Sequence, residues 1–440
     1  MVRGSFSSTE RWADKDTMHT MRASRENRSR KLSMKRSLKR SLVLATATLV
    51  ALVALSATAL AAPSEFPDKK PMVNGQVRTI EQVGNNIWVG GNFTQVKKTD
   101  GTVVNVSNVA VFNSVTDEYV DIAPRLGAGS DSSNVRDIDV YGDKVVIGGD
   151  FPGPTTSQKN LVVVDGTTGG DLRWFKNSPQ KMQSVLAAPD LGRVYGGGSS
   201  LSAFDFATGA KLWSRATTRV DQSIHSHSPA PGYRDLERDG STIWAACACD
   251  DLSVSPSKAL ALIKLDTEGN RDTNWVADVK AADLFGISVA QTNDKLYLGA
   301  GGSDYVAQFP KVPSSGGIAE REWKMDTSGS TQVVEVMDGE LVVGGHFVEV
   351  ADQAGDNCGF RSSNPDTLDP DDECQRRDGL AIYSFGGTLD ANWDPALTGK
   401  YNLAWALHPE GTRLHVGGEF TRVNGISQTY YARLSSALLP

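Results

Sequence analysis

The sequence predicts an all-β fold made of about seven repeats of one four-stranded antiparallel unit. A Gly-Gly phrase recurs along residues 62–440, short β-rich runs flank each copy, and no helical period appears there. Repeats of roughly fifty residues with four short strands are typical of β-propeller blades. We therefore predict a single domain over residues 62–440, a seven-bladed β-propeller whose ring is closed by the N-terminal strand.

Residues 1–61 have the composition of a signal peptide with a basic leader. Met34–Arg40 is basic, and Leu42–Leu55 is apolar but short for a membrane span. Ala59 and Ala61 are the small residues that a signal peptidase recognises, so we place the cleavage after Ala61. An uncleaved anchor is the alternative, and Met34 is an alternative start. The expected location is outside the cell.

Charge limits the partners of the exported chain. Residues 1–61 carry twelve Lys and Arg against four Asp and Glu, which leaves 33 basic and 48 acidic residues in the remainder. This balance disfavours nucleic acid and anionic lipid, because both require clustered basic residues. We expect a monomer without a transmembrane helix in the mature chain.

The repeated phrase consists of an aliphatic or aromatic pair, two glycines, a polar residue and often Phe. Its copies are Trp88–Phe93, Val146–Phe151, Val342–Phe347 and His415–Phe420, with weaker copies at Val194–Ser199 and Tyr297–Gly302 and a glycine-free copy at Ile243–Cys249. The copies lie 45 to 73 residues apart. Seven copies predict seven blades.

Each copy sits among other short strands. A β-rich run and a turn precede it, an apolar strand follows, and a fourth segment carries Trp or Tyr, as at Trp174, Trp213, Trp275, Trp323 and Trp393. After Val416–Phe420 the chain has one more strand, Tyr430–Leu434, so the last unit lacks a fourth strand. We expect the segment 63–76 to pair there and cover the open edge.

Two resemblances follow from these motifs. The VGGNF and VGGEF phrases with Thr94–Val96 and Thr421–Gly425 resemble the delta-60 repeat β-propellers of secreted actinobacterial proteins, over most of residues 72–434. This resemblance implies a secreted propeller and supplies no catalytic residues. Leu161–Trp174 and Leu201–Trp213 are similar to quinoprotein dehydrogenase repeats, but the chain lacks the adjacent cysteine pair of those enzymes.

Cys358 and Cys374 flank an acidic insertion, and we expect them to form a disulfide because the chain is exported. Four aspartates of the insertion are calcium candidates: Asp366, Asp369, Asp371 and Asp372. Their spacing matches no calcium loop, so a solvated loop is the favoured interpretation.

Cys247 and Cys249 are two residues apart on a predicted strand, a spacing that a straight strand does not bridge with a relaxed disulfide. Either the strand bends there, or the thiols stay free, or they bind a metal. With His225 and His227 they would supply the four ligands of a tetrahedral zinc site. A local disulfide with loop histidines is the competing interpretation.

The polar residue after the second glycine has a candidate binding role. Equivalent positions in a closed ring lie at similar radius, so Asn92, Asp150, His346 and Glu419 would form one arc and contact a cation or a sugar hydroxyl. Hydrogen bonding to the adjacent turn is the competing interpretation.

These observations predict a secreted binding or scaffold protein of the bacterial cell surface or surroundings, with a polysaccharide or protein ligand. No nucleophile elbow, phosphate loop or metalloprotease motif occurs in the sequence. A quinoprotein-like or carbohydrate-active enzyme is the alternative. Charged or aromatic groups converging in a central channel would favour binding, whereas small aliphatic ones would favour scaffolding.

We expect the exported protein to begin at Ala62. N-terminal sequencing of protein secreted by a bacterial host measures this directly. Ala59→Arg should block cleavage, because the peptidase needs small residues there, whereas Leu60→Ser should leave it intact. Release of a chain that starts elsewhere would contradict the expectation.

Overall fold

The computed structural model describes residues 62–126, 134–178, 180–216, 232–251, 258–279, 285–314, 316–354, 358, 374–401 and 403–435. Within these ranges the chain is all-β and mostly antiparallel, and the one helical element is a 3-10 turn at Pro189–Leu191. No helix in the described ranges has the length and apolarity needed to cross a membrane.

Seven meander sheets form most of the fold, and we number them in chain order. Their strands are Gln76–Val83, Asn86–Asn92, Val109–Asn113 and Tyr119–Val120 (sheet 1); Asn134–Tyr141, Lys144–Asp150, Leu161–Asp165 and Arg173–Trp174 (sheet 2); Ser184–Ala188, Arg193–Gly197, Ser200–Asp205 and Lys211–Ala216 (sheet 3); Gly232–Asp239, Thr242–Ala248 and Leu262–Asp266 (sheet 4); Phe285–Gln291, Lys295–Gly301, Tyr305–Pro310 and Trp323–Asp326 (sheet 5); Thr331–Met337, Glu340–Gly345 and Leu380–Ser384 (sheet 6); Leu403–Glu410, Arg413–Glu419 and Tyr431–Leu434 (sheet 7).

Short ladders lie outside these sheets. They join Met72–Val73 to Gln95–Lys97 and Val103–Asn105, Asp250–Asp251 to Lys258–Ala259, Val276–Ala277 to Ile318–Ala319, Glu349–Ala351 to Cys374–Arg376, and Leu397–Thr398 to Arg422–Val423 and Ile426–Ser427. The fourth strands expected near Trp275 and Trp393 do not form ladders with sheets 4 and 6 in the described residues, although both indoles are buried. Turns that start at Asp272 and Asp390 replace them.

The hydrophobic core lies between successive sheets. Val83 and Trp88 of sheet 1 pack with Ile138 of sheet 2, and similar clusters join each later sheet to the next. A further cluster joins Ala406 and Tyr431 of sheet 7 to sheet 1. Each sheet therefore buries both faces, which explains why the second strands contain nearly continuous apolar runs.

The first glycine of the repeated phrase marks close packing against the next sheet. A Cβ at Gly90 would lie 2.6 Å from Val135 Cγ1 of sheet 2, and one at Gly417 would collide with Val77 of sheet 1. Any side chain at these positions would push the neighbouring sheet away.

The second glycine is needed because the first strand of its own sheet passes too close. A Cβ at Gly91 would collide with the carbonyl oxygen of Gln76, and one at Gly149 with that of Asn134. The sheet 1 ladder shifts by one residue opposite this point, between Val77 and Thr79. A β-bulge therefore faces the glycine pair.

The segment that follows Ala62 lies beside the last strand of sheet 7. Pro67 pairs antiparallel with Leu434, the Asp68 amide donates to the Arg433 carbonyl at 2.9 Å, and the Ser64 amide donates to the Ser435 carbonyl at 3.0 Å. The buried Arg433 guanidinium binds Asp68 Oδ2 at 2.8 Å and Asp117 Oδ1 at 3.0 Å. Arg433 thus ties this segment and sheet 1 to sheet 7.

Arg433→Met should lower the free energy of unfolding by about 2–3 kcal/mol, because it removes the guanidinium that binds Asp68 and Asp117 and leaves these partly buried carboxylates with Lys70 as their remaining cation. Urea unfolding at neutral pH measures the change. Arg422→Met, at an exposed arginine of a neighbouring ladder, should change it by less than about 0.5 kcal/mol. Equal losses in the two variants would refute this role of Arg433.

Candidate functional site

A cavity of about 380 Å³ lies where the first strands of all seven sheets meet. Its volume is within the range of small-molecule pockets, near the lower end. Polar and charged side chains form much of its wall. The site is therefore built from the first strand of each unit and not from the repeated Gly-Gly strand.

Backbone bulges aim side chains into this cavity. Six of the seven first strands skip one residue in their ladder, and each skipped residue lines the cavity: Arg78, Arg136, Arg234, Ile287, Gln332 and Trp405. The first strand of sheet 3 keeps a regular register, and Gln183, just before it, lines the wall there. We call these seven residues the bulge layer.

Two arginines of the bulge layer lack an anionic partner. Arg78 donates to Gln76 Oε1 at 2.7 Å and lies over the Trp405 ring, with 4.6 Å from Cζ to the centroid. Arg136 donates to Gln183 Oε1 at 2.8 Å. Neither forms an ion pair with any described residue. Burial, followed by the nearby Arg136 charge, lowers the pKa of Arg78 to about 10, so Arg78 remains a cation at neutral pH.

Carboxylates occupy the next level of the cavity. They are Glu81, Asp137, Asp139, Asp235, Glu237 and Glu335, and we call them the carboxylate layer. All follow a bulge by one or three residues along the strand. On sheets 1, 2 and 4 the cavity wall thus carries an arginine and carboxyl groups one or three residues apart along the same strand.

The aspartates of the carboxylate layer join neighbouring sheets. Asp137 Oδ2 accepts the Val185 amide of sheet 3 at 2.6 Å, and Asp235 Oδ2 accepts the Val289 amide of sheet 5 at 2.8 Å. Asp139 likewise accepts the Ala187 amide at 2.6 Å. These hydrogen bonds give the aspartates a structural role.

The glutamates have fewer donors. Gln291 Nε2 donates to Glu237 at 3.0 Å, and His408 Nδ1 lies 3.9 Å from Glu81. Burial, followed by repulsion from Asp235 and Asp139, raises the pKa of Glu237 to about 8. Burial and neighbouring carboxylates also raise the pKa of Glu81 and of Glu335 well above the usual range. Glu237 therefore keeps its proton at neutral pH.

The residues proposed from the repeated phrase lie outside the cavity wall. Asp150 pairs with Lys181 at 2.5 Å, Glu419 accepts a hydrogen bond from Gln76, and Asn92 and His346 are exposed. Each ends its second strand or follows it directly. Their binding role stays a prediction.

Both cysteine pairs form disulfides. Cys358 bonds to Cys374 with a Cα separation of 5.9 Å, and Cys247 bonds to Cys249 with 5.6 Å. The strand ends at Ala248, which lets the chain bend and brings the two sulfurs together. Bonded cysteines offer no thiolate to zinc, because metal ligation needs free thiolates.

The remaining metal candidates fall elsewhere. His225, His227 and the four aspartates of the acidic insertion lie outside the described residues. Within the described part of the chain, no three His, Cys, Asp or Glu side chains lie close enough to hold a metal ion.

Sequence reasoning missed the bulge layer although a signal was present. Three first strands repeat one pattern of an apolar residue, Arg, a short polar residue, an aliphatic residue and an acid: Val77–Glu81, Val135–Asp139 and Tyr233–Glu237. The Gly-Gly phrase is the more regular pattern, so the sequence predicts the candidate binding residues on the second strand of each unit.

Solved structures with the same architecture confirm the fold class. U3-55K matches with a TM-score of 0.54 and 10% identity over 84% of this chain and 100% of that chain. The RRP9 WD40 repeats match with a TM-score of 0.54 and 9% identity over 85% of this chain and 98% of that chain. WD40 repeats form propeller blades. The chain therefore has a β-propeller type of fold.

Sequence comparisons identify no family for this chain. No family model matches the chain, and no curated protein matches it.

Glu237→Gln should weaken the pH dependence of stability. The folded protein retains the Glu237 proton up to about pH 8, whereas the unfolded chain releases it near its ordinary pKa of 4.5. Stability should therefore fall as pH rises through this interval, and less so in the variant. Urea unfolding at several pH values measures the slope. Glu320→Gln, at an exposed position, is the control, and an unchanged slope in Glu237→Gln would contradict this assignment.

Proposed function

We propose that this protein is a secreted seven-bladed β-propeller that binds a small ligand in its central channel. The observation that carries the proposal is the convergence of arginines, carboxylates and Trp405 on one cavity at the strands shared by all seven sheets. A scaffold that works through its outer surface has no need of such groups. Charged side chains buried in a cavity cost stability unless they serve packing or a ligand.

Contacts between the first and last sheets support a closed ring. Tyr431 of sheet 7 stacks on Phe112 of sheet 1 with ring centroids 5.2 Å apart, and Gly417 packs against Val77. Together with the six contacts between successive sheets, this contact accounts for every sheet face. In the proposed ring, residues 63–68 supply the fourth strand of the last blade.

Export is supported by the leader and by the two disulfides. Disulfides persist in oxidising compartments, and both cysteine pairs are bonded. The delta-60-like phrases point to the same setting, the surface or surroundings of a bacterial cell. A ligand there is a soluble molecule or the end of a surface polymer.

The test compares ligands retained by the purified protein. Protein secreted from its native host should release a small molecule on denaturation, detectable by mass spectrometry. Gln332→Trp places an indole in the channel and should abolish this release, because the side chain fills the cavity. Gln95→Trp, on an exposed outer strand, is the matched control.

A surface-scaffold role would give a different result. In that case the wild-type protein, the Gln95→Trp control and the Gln332→Trp variant would all release the same molecules on denaturation, or none. That result would overturn the proposed channel function.

A further inference from the structure

We propose that the bulge layer recognises the anionic group of a small ligand, a carboxylate or a phosphate, and that its apolar members contact an attached ring or chain. This inference rests on the proposed channel function and names the chemical class of its ligand. Arg78, Arg136 and Arg234 would bind the anion. Ile287 and Trp405 would contact the apolar portion.

Two cations of the bulge layer have no anion in direct contact among the described residues. Arg78 and Arg136 are partly buried cations whose only hydrogen-bond partners among the described residues are neutral glutamines. A guanidinium offers five N–H groups, and each of these arginines uses one in a hydrogen bond within the described residues. Cations withdrawn from water favour an anionic partner strongly.

Carboxylates that could neutralise these arginines are engaged elsewhere. Asp150 is paired with Lys181, and Glu419 accepts its hydrogen bond from Gln76. Neither carboxylate lies within ion-pair distance of Arg78 or Arg136. Glu419 and Asp150 act on these arginines only from a longer distance, so an anion in direct contact with both arginines would come from outside the described residues.

Unsatisfied donors give a second argument. Arg78 Nε, Arg136 Nε and Trp405 Nε1 are buried and have no hydrogen-bond partner among the described residues. All three are donors and belong to the bulge layer. Solvent does not reach these atoms, so a ligand in the cavity can accept their hydrogen bonds only when the side chains turn towards it.

The distribution around the cavity defines the shape of the ligand. Sheets 1, 2 and 4 supply the arginines, whereas sheets 5 and 7 supply Ile287, Phe285 and Trp405. An anion with an apolar portion therefore meets a matching surface on each side. Arg78, Arg136 and Arg234 are the cations of the cavity wall, so the charged group of the ligand is expected beside them.

The experiment uses four probes that share one benzene ring: benzoate, phenyl phosphate, neutral benzamide and cationic benzamidine. Binding to the mature protein is measured by ligand-observed NMR and by isothermal titration calorimetry. We expect one or both anions to bind and the other two probes to bind far more weakly. The two anions distinguish a carboxylate ligand from a phosphate ligand.

The variants are Arg78→Gln and Arg136→Gln, each expected to weaken anion binding by about tenfold to one-hundredfold. Arg125→Gln makes the same charge change at a side chain that is 60% exposed and lies outside the cavity wall, and should leave affinity unchanged. Circular dichroism and urea unfolding show whether each variant is folded.

The outcomes separate this inference from the proposed function. Anion binding that is insensitive to Arg78→Gln and Arg136→Gln overturns the assignment to the bulge layer. Binding of benzamide or benzamidine alone, blocked by Gln332→Trp, overturns the anion class and leaves the channel function standing. If the wild-type protein binds none of the four probes, the anion inference fails, while the molecule released on denaturation still decides the channel function.

Discussion

The close approach between the Gly-Gly pair and the first strand in sheets 1, 2, 6 and 7 is the constraint on which much of the structure depends. The second glycine leaves room for the carbonyl of the residue that begins the first strand, as Gly91 does for Gln76. The first strand of sheet 1 has a bulge opposite this glycine pair, and the bulged residue, Arg78, is left out of the ladder. In sheets 1, 2, 6 and 7 the glycine pair that packs the sheets therefore lies opposite the bulge whose residue lines the cavity.

The residues that join neighbouring sheets and the residues proposed to bind a ligand occupy different positions on the same strands. Asp137 and Asp235 each accept a hydrogen bond from a backbone amide of a neighbouring sheet, and these hydrogen bonds compensate for their burial. Arg136 lies one residue before Asp137 in the chain, and its hydrogen-bond partner among the described residues is a neutral glutamine. A single residue step along the strand separates a structural group from a group that is open to a ligand.

The sequence predicts the sheets better than the site. Glycine pairs flanked by apolar runs determine where the second strands lie, because no other residue tolerates the approach of the neighbouring sheet at Gly90. The face of Arg78 cannot be inferred from alternation, since a bulge resets the two-residue period. The bend that bonds Cys247 to Cys249 depends on where the strand ends. Turns likewise replaced the fourth strands expected near Trp275 and Trp393.

The pairing of the two chain ends has a consequence for the order of folding. Asp68 and Ser435, which share a hydrogen bond, are 367 positions apart in the sequence. Contacts of such long range form late, because the loop-closure entropy must be overcome before they stabilise anything. Until the strands of sheet 7 have been synthesised, the face of sheet 1 that packs against Ala406 and Tyr431 has no partner, so the hydrophobic cluster between these two sheets is the last part of the core to become complete.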